Sequence, residues 1–256
     1  MKLLDELLAN LPDGEVLDVC IGLHWTAVVI QENGQKRCGL ASTLVAHQHH
    51  SKEPDVPQAG QLHKQSALEL ARLACSEQLP LTSIGIAAIN ALLPPQPGQW
   101  RDVNAEEVIA THGAGKTVAL IGSFPFIPRL HAQVGELFVL ELNPGVGELP
   151  AAAAPDILPQ ADVVAITSMT LVNHSLAGLL SLCAPQAKVL LLGPSTPLSP
   201  LLFEHGIDML SGAVVSDIEP VLNAIKQGAT FRQVHRAGVR LVTMSRDGGM
   251  GGQVSQ

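Results

Sequence analysis

Residues 163–197 read VVAITSMTLVNHSLAGLLSLCAPQAKVLLLGPSTP. A short apolar run from Val163 to Thr167 opens the stretch, an apolar helical pattern follows from Leu171 to Cys183, and a second apolar run from Val189 to Leu192 ends in glycine and proline. Apolar runs of this length without polar alternation suit strands covered on both faces, the condition of a parallel sheet. The stretch reads as a strand, a crossover helix and a second parallel strand.

The rhythm continues outward in both directions. Strand patterns lie at 117–121, 137–142 and 209–215, and helical segments at 126–133, 152–158, 200–205 and 218–227. Asn104, three residues before Glu107, signs the start of a short helix to about Thr111. Five strands with helices between them predict a Rossmann-like parallel sheet over 104–245. Residues 246–256 (RDGGMGGQVSQ) carry no core material and are expected to form a flexible tail.

Before residue 103 the pattern differs. Leu3, Leu4, Leu7 and Leu8 share one helical face, and Pro12-Asp13-Gly14 stops that helix. EVLDVCIG, HWTAVVIQ and the run from Lys36 to Leu40, with Asn33-Gly34 as a hairpin signal, predict a three-stranded antiparallel meander. Residues 41–62 read as a long polar loop. Helical patterns follow at 66–76 and 82–93, the second (IGIAAINALL) small enough in side chain to approach another element closely; Pro94-Pro95-Gln96-Pro97-Gly98 ends it. The fold class is thus α/β: a Rossmann-like parallel sheet (104–245) preceded by a smaller α+β domain (1–103).

Bulk composition narrows the function. Aromatic residues make up 3% and Tyr is absent, so the core is built from Leu, Val, Ile and Ala. The net charge is −8 and no Lys/Arg-rich run occurs, which argues against nucleic acid as a partner. No signal-peptide pattern opens the chain, and no run approaches the roughly 18 apolar residues of a membrane span, so a cytoplasmic protein without a membrane partner is expected. Cys20, Cys38, Cys75 and Cys183 are scattered with no C-x-x-C pair, and read as buried reduced thiols.

In an open parallel sheet, ligands bind beyond the carboxyl ends of the strands. Those ends carry Gly122-Ser123-Phe124-Pro125, Glu141 with Asn143-Pro144-Gly145, Thr167-Ser168-Met169-Thr170 with Asn173, Gly193-Pro194-Ser195-Thr196-Pro197, and Ser211-Gly212. Helix N-termini on this rim suit an anionic group. Thr170, Ser199 and Asp217 also fit as helix caps. Two prolines stiffen the hydroxyl pair Ser195 and Thr196, a rigidity that favours a ligand role. Gly113-Ala114-Gly115-Lys116-Thr117 resembles the end of a P-loop, but Ala110 stands where the first glycine belongs and the segment precedes a strand. The dinucleotide fingerprint is incomplete because Phe124 and Ile127 occupy glycine positions. Glu141 still stands at the ribose-binding position, which leaves a nucleotide-like ligand open. His47, His49 and His50, with His63 nearby, gather imidazoles in the polar loop, but no acid or cysteine joins them at a recognised metal-ligand spacing. His24 and His174 flank candidate cleft elements, and the apolar helix from Ile84 to Leu93 offers a face for a homo-oligomer.

The combination of Ile121-Gly122-Ser123-Phe124-Pro125, Ala165-Ile166-Thr167 with Thr170 to Asn173, and Leu192-Gly193-Pro194-Ser195-Thr196-Pro197 resembles the putative heavy-metal chelation family. Cys20-Ile21-Gly22, Trp25-Thr26-Ala27, Gly39 to Thr43 and Gly85 to Ala91 extend the likeness over about residues 5–230. The resemblance implies an enolase N-terminal-like domain joined to a Rossmann-like domain, with a cleft between them for a metal ion or a metal complex. The leading expectation is a protein that binds a metal-containing or anionic small ligand there through Asn90, Gly122, Ser123, Glu141, Thr167, Asn173, Gly193, Ser195 and Thr196. These are mostly oxygen donors, which suit an anionic chelate held by hydrogen bonds better than direct ligation of a soft metal. The alternatives are an enzyme acting on a small anionic or nucleotide-like substrate, and a binding or scaffold module without chemistry.

Overall fold

The computed structural model describes residues 2–45 and 54–248. Helix α1 (Lys2–Ala9) buries Leu3, Leu4 and Leu7, and the meander β1 (Glu15–Ile21), β2 (Trp25–Glu32) and β3 (Gln35–Ser42) follows in that order. Asn33 and Gly34, both at positive φ, make the β2–β3 turn as their sequence predicts. Along β2 the period of two sorts the core. Val28 and Ile30 join α1, α2 (Ala67–Arg72) and α3 (Leu79–Leu92), whereas Ala27 and Val29 join Val221, Leu222 and Ile225 of the other half of the chain. The antiparallel meander is therefore covered on both faces.

Helix α3 is enclosed: Ile84, Ile86, Ala87, Ala88, Ile89 and Leu92 are each 0% exposed. This overturns the expectation that its apolar side is an oligomer face; the chain itself covers it. Glycines permit the enclosure. A Cβ on Gly39 of β3 would lie 2.1 Å from the Ala87 carbonyl oxygen, and one on Gly85 would lie 1.9 Å from the Ala74 nitrogen.

The second half contains α4 (Ala105–Gly113), β4 (Thr117–Ile121), α5 (Ile127–Leu130), β5 (Glu136–Glu141), β6 (Leu149–Pro150), α6 (Ala154–Ile157), β7 (Val163–Thr167), α7 (Met169–Val172), α8 (Leu176–Leu182), β8 (Lys188–Leu192), β9 (Met209–Val215), α9 (Ile218–Lys226), α10 (Phe231–Gly238) and β10 (Val239–Ser245). The sheet order is β10-β9-β8-β7-β4-β5-β6, parallel throughout except for β10, which pairs antiparallel with β9. From β4 the chain runs outward to β5 and β6, then returns to β7 on the other side of β4. The order reverses between β4 and β7.

Several local expectations change. The helix expected over 171–183 is broken at His174, which takes φ +61°, leaving α7 and α8. Residues 200–205 form a 3₁₀ helix. Helix α10 and strand β10 occupy a stretch to which sequence patterning assigned no element. Of the expected caps, Asp217 and Ser199 make no side-chain capping bond, and Thr170 lies inside α7 with its hydroxyl donating to the Thr167 carbonyl at 2.6 Å. Arg246, assigned to the tail, donates to the carbonyls of Phe203 and Ile207 at 2.6 and 2.7 Å. His47, His49, His50 and residues 249–256 lie outside the described residues.

Candidate functional site

The turns that leave β4 and β7 touch: a Cβ on Gly122 would lie 3.0 Å from the Thr167 Cβ. Gly122 takes φ +106° and Gly193, at the end of β8, takes φ +123°, where a Cβ would lie 2.7 Å from the Ser168 hydroxyl. Only glycine lets three neighbouring turns draw together in this way. They form the floor of a cavity of about 580 Å³, placed where the strand order reverses.

Ser123, Phe124, Phe126, Thr167, Ser168, Gly193 and Pro194 line it from the carboxyl ends of the strands. Trp25 and Ser42 line it from the meander, and Phe231, Arg232 and His235 from α10. Phe124 and Phe126 stack at 5.1 Å between centroids; Trp25 meets Phe231 at 5.3 Å, and Phe231 stacks on His235 at 6.1 Å. The chain has five Phe and two Trp, and four of these seven rings bound this one space. Arg129 also lines it, but both oxygens of Glu106 hold its guanidinium at 2.6–2.7 Å. Arg232 makes no ion pair among the described residues, so it is the cation available to a guest.

A second cavity, of about 180 Å³, is lined by Lys36, Cys38, Asn90, Trp100, Thr196 and Val214 among others. The Gly-Pro-Ser-Thr-Pro loop separates the two. Gly193 and Pro194 line the larger and Thr196 the smaller, while the buried Ser195 hydroxyl between them accepts a hydrogen bond from the Ser42 amide at 2.8 Å.

The nine residues expected to form one site are thus distributed. Ser123, Thr167 and Gly193 line the larger cavity, with Gly122 buried behind Thr167. Asn90 and Thr196 line the smaller one. Glu141 lies outside both; its oxygens accept from the Ser123 amide at 3.1 Å and the Leu142 amide at 2.6 Å, so it shapes the turn. Asn173 caps the end of α7, where its Oδ1 accepts from the Ser175 amide and hydroxyl, away from either cavity. His174 Nε2 donates to the Ser76 carbonyl at 2.7 Å and ties the two halves together. His24 is exposed. Sequence reasoning missed Trp25, Phe231, Arg232 and His235. Thr230 and Gln233 carried the signal for the last three, since Gln233 Oε1 accepts from the Thr230 amide at 2.9 Å and opens α10.

Among the described residues no three His, Cys, Asp or Glu side chains gather to hold a metal ion. Burial pushes the Cys38 thiol up to about 12 and the Cys183 thiol up to about 11, so neither supplies a thiolate at neutral pH. Cys20 is buried, but Cys75 is exposed, against the expectation that all four thiols lie in the core. Among the described residues the donor set does not fit direct ligation of a bare heavy-metal ion. No helix among the described residues is long and apolar enough to cross a membrane.

Family models described as "Putative heavy-metal chelation" match residues 4–93 and 104–244. An uncharacterized protein of Methanocaldococcus jannaschii is 27% identical over 222 residues, covering 84% of each chain. A crystal structure of a family member of unknown function from Desulfitobacterium hafniense superposes with a TM-score of 0.78 at 26% identity, over 95% of this chain and 98% of that one. Another, from Pyrococcus horikoshii, gives 0.76 at 23% over the same shares and speaks for the fold alone. On the extent of these matches, the chain belongs to the putative heavy-metal chelation family.

Proposed function

We propose that the protein binds a preformed metal complex, or another anionic small ligand, in the larger cavity between the meander and the parallel sheet. One observation carries the reading: among the described residues the cavity pairs stacked aromatic walls with an unpaired Arg232, and no trio of metal donors gathers there. Aromatic faces hold a flat or apolar ligand body, a free guanidinium takes a carboxylate or sulfonate, and neither coordinates a metal ion. The protein then recognises the chelate instead of replacing its ligands.

Nickel(II) and zinc(II), offered as chlorides and as complexes of 8-hydroxyquinoline-5-sulfonate, test this by thermal shift and calorimetry. The sulfonated complex should stabilise the protein and the chlorides should not. Arg232→Ala should weaken the complex about tenfold, the loss of one charge-assisted hydrogen bond. Equal stabilisation by the chlorides, or none by the complex, overturns the proposal.

A further inference from the structure

Among the described residues, five buried side-chain nitrogen or oxygen atoms have no hydrogen-bond partner, and three of them belong to residues lining the smaller cavity: Asn90 Oδ1, Thr196 Oγ1 and Trp100 Nε1. A buried polar atom left unpaired carries its full desolvation cost, so three on residues that line one hollow point to partners supplied from outside the chain. Their chemistry is fixed. Asn90 Nδ2 donates to the Leu40 carbonyl at 2.8 Å, which leaves Oδ1 as an acceptor. An indole nitrogen only donates, and a threonine hydroxyl does either. The set therefore requires a guest that donates at one point and accepts at another.

Charge and size narrow the guest further. No acidic side chain lines the cavity, whereas Lys36 and Arg37 do. Arg37 is engaged by Glu32 and by the Leu93 carbonyl; Lys36, exposed at the rim, makes no ion pair among the described residues. The volume of about 180 Å³ compares with the roughly 150 Å³ that admits benzene, a molecule of about six non-hydrogen atoms. We infer that this cavity is a second site, separate from the larger one, for a hydroxycarboxylate of two or three carbons. Its hydroxyl donates to Asn90 Oδ1, its carboxylate accepts from Trp100 Nε1 and Thr196 Oγ1, and Lys36 supplies the countercharge. The inference does not depend on what the larger cavity binds.

The two tryptophans make the test direct, because Trp25 lines the larger cavity and Trp100 the smaller. In the full ¹⁵N-labelled chain each gives one indole N–H signal, assigned with Trp25→Phe. Titration with glycolate should move the Trp100 signal saturably and leave the Trp25 signal in place. Acetate, which lacks the donor, and ethylene glycol, which lacks the charge, should each bind at least tenfold more weakly. Thr196→Val, of nearly the same size, should weaken glycolate about tenfold; should that variant not fold, Lys36→Gln at the exposed rim should weaken glycolate while ethylene glycol is unaffected. An unmoved Trp100 signal, a response to acetate equal to that for glycolate, or movement of the Trp25 signal alone overturns the inference. So does unchanged affinity in Thr196→Val.

Discussion

Replacing Gly39 by alanine adds one methyl group where β3 lies against α3. That methyl would stand 2.1 Å from the Ala87 carbonyl oxygen, 2.3 Å from the Ala91 nitrogen and 2.7 Å from the Asn90 carbonyl carbon. All three are backbone atoms, so no side-chain rotation relieves them. An ordinary contact begins at 3.4 Å, so the helix must lift by about 1.3 Å at the nearest point. Helix α3 cannot lift freely, because Gly85 on the same helix meets the Ala74 backbone equally closely. Overpacking a tight core costs about 1–3 kcal/mol, and a clash of backbone on backbone belongs at the upper end. A loss of about 3 kcal/mol corresponds to a fall in Tm of roughly 6–12 °C for a chain of this size. Urea unfolding followed by circular dichroism should show a lower midpoint with an unchanged slope. Gly98→Ala is the control: nothing lies within 4 Å of the added carbon, and the change should stay within about 0.5 kcal/mol. A loss below about 1 kcal/mol in Gly39→Ala would refute the close packing of β3 on α3, and with it the placement of Asn90 at the smaller cavity.

Three further outcomes follow from the same contacts. Ser195→Ala strands the Ser42 amide between the two cavities, and should cost about 1–3 kcal/mol in chemical denaturation; an unchanged midpoint would remove the bridge. The Gly145 amide and then the Ser123 hydroxyl hold the Glu148 carboxyl below its ordinary 4.5. Its folded value lies under the unfolded one, so the stabilisation is full above pH 4.5 and is lost as pH falls through the folded pKa. Glu148→Gln should therefore flatten the acid side of a Tm-against-pH profile, and a profile parallel to the parent's would contradict the bond. Ellman's reagent at pH 8 should find one fast thiol in the folded protein, Cys75, because it is exposed while Cys20 is buried and Cys38 and Cys183 are half-buried; desolvation and Asp5 raise the Cys75 thiol as well, so the contrast rests on access. A fast phase that persists in Cys75→Ser would show that one of the enclosed thiols is open.

The parallel sheet was legible because its strands carry uninterrupted apolar runs and its turns carry glycine and proline, signals that depend only on neighbouring residues. The same local reading failed where a distant partner decides. His174 takes a left-handed backbone and its ring reaches the Ser76 carbonyl, 98 residues away, so one apolar pattern became two helices. Strand β10 pairs with β9, and its Thr243 exchanges both backbone bonds with Arg101. No local pattern specifies those partners. Helix α3 forms where its pattern predicts, but its apolar side is no oligomer face, for a related reason. An unbroken apolar surface looks like an interface until the elements that cover it, β3 with its Gly39 on one side and Ala74 on the other, are known.

For the site, the turns were legible and the walls were not. Gly122, Ser123, Thr167 and Gly193 announce themselves by ending or following strands. Trp25, Phe124, Phe126 and Phe231 come from three segments separated by about a hundred residues each, and single aromatics in a sequence carry no label for the space they face. Scarcity of aromatics was read as a property of the core. It is better read as placement: aliphatic side chains fill the interior, and most of the rings stand around a cavity. Folding alone does not require that arrangement, because Leu and Ile would seal the junction of meander and sheet as completely as they seal the rest. Rings left bordering an open volume have surface still to cover. On the proposed reading a flat guest would supply that cover, and the walls of the cavity, more than its hydroxyl-bearing floor, would define the ligand it selects.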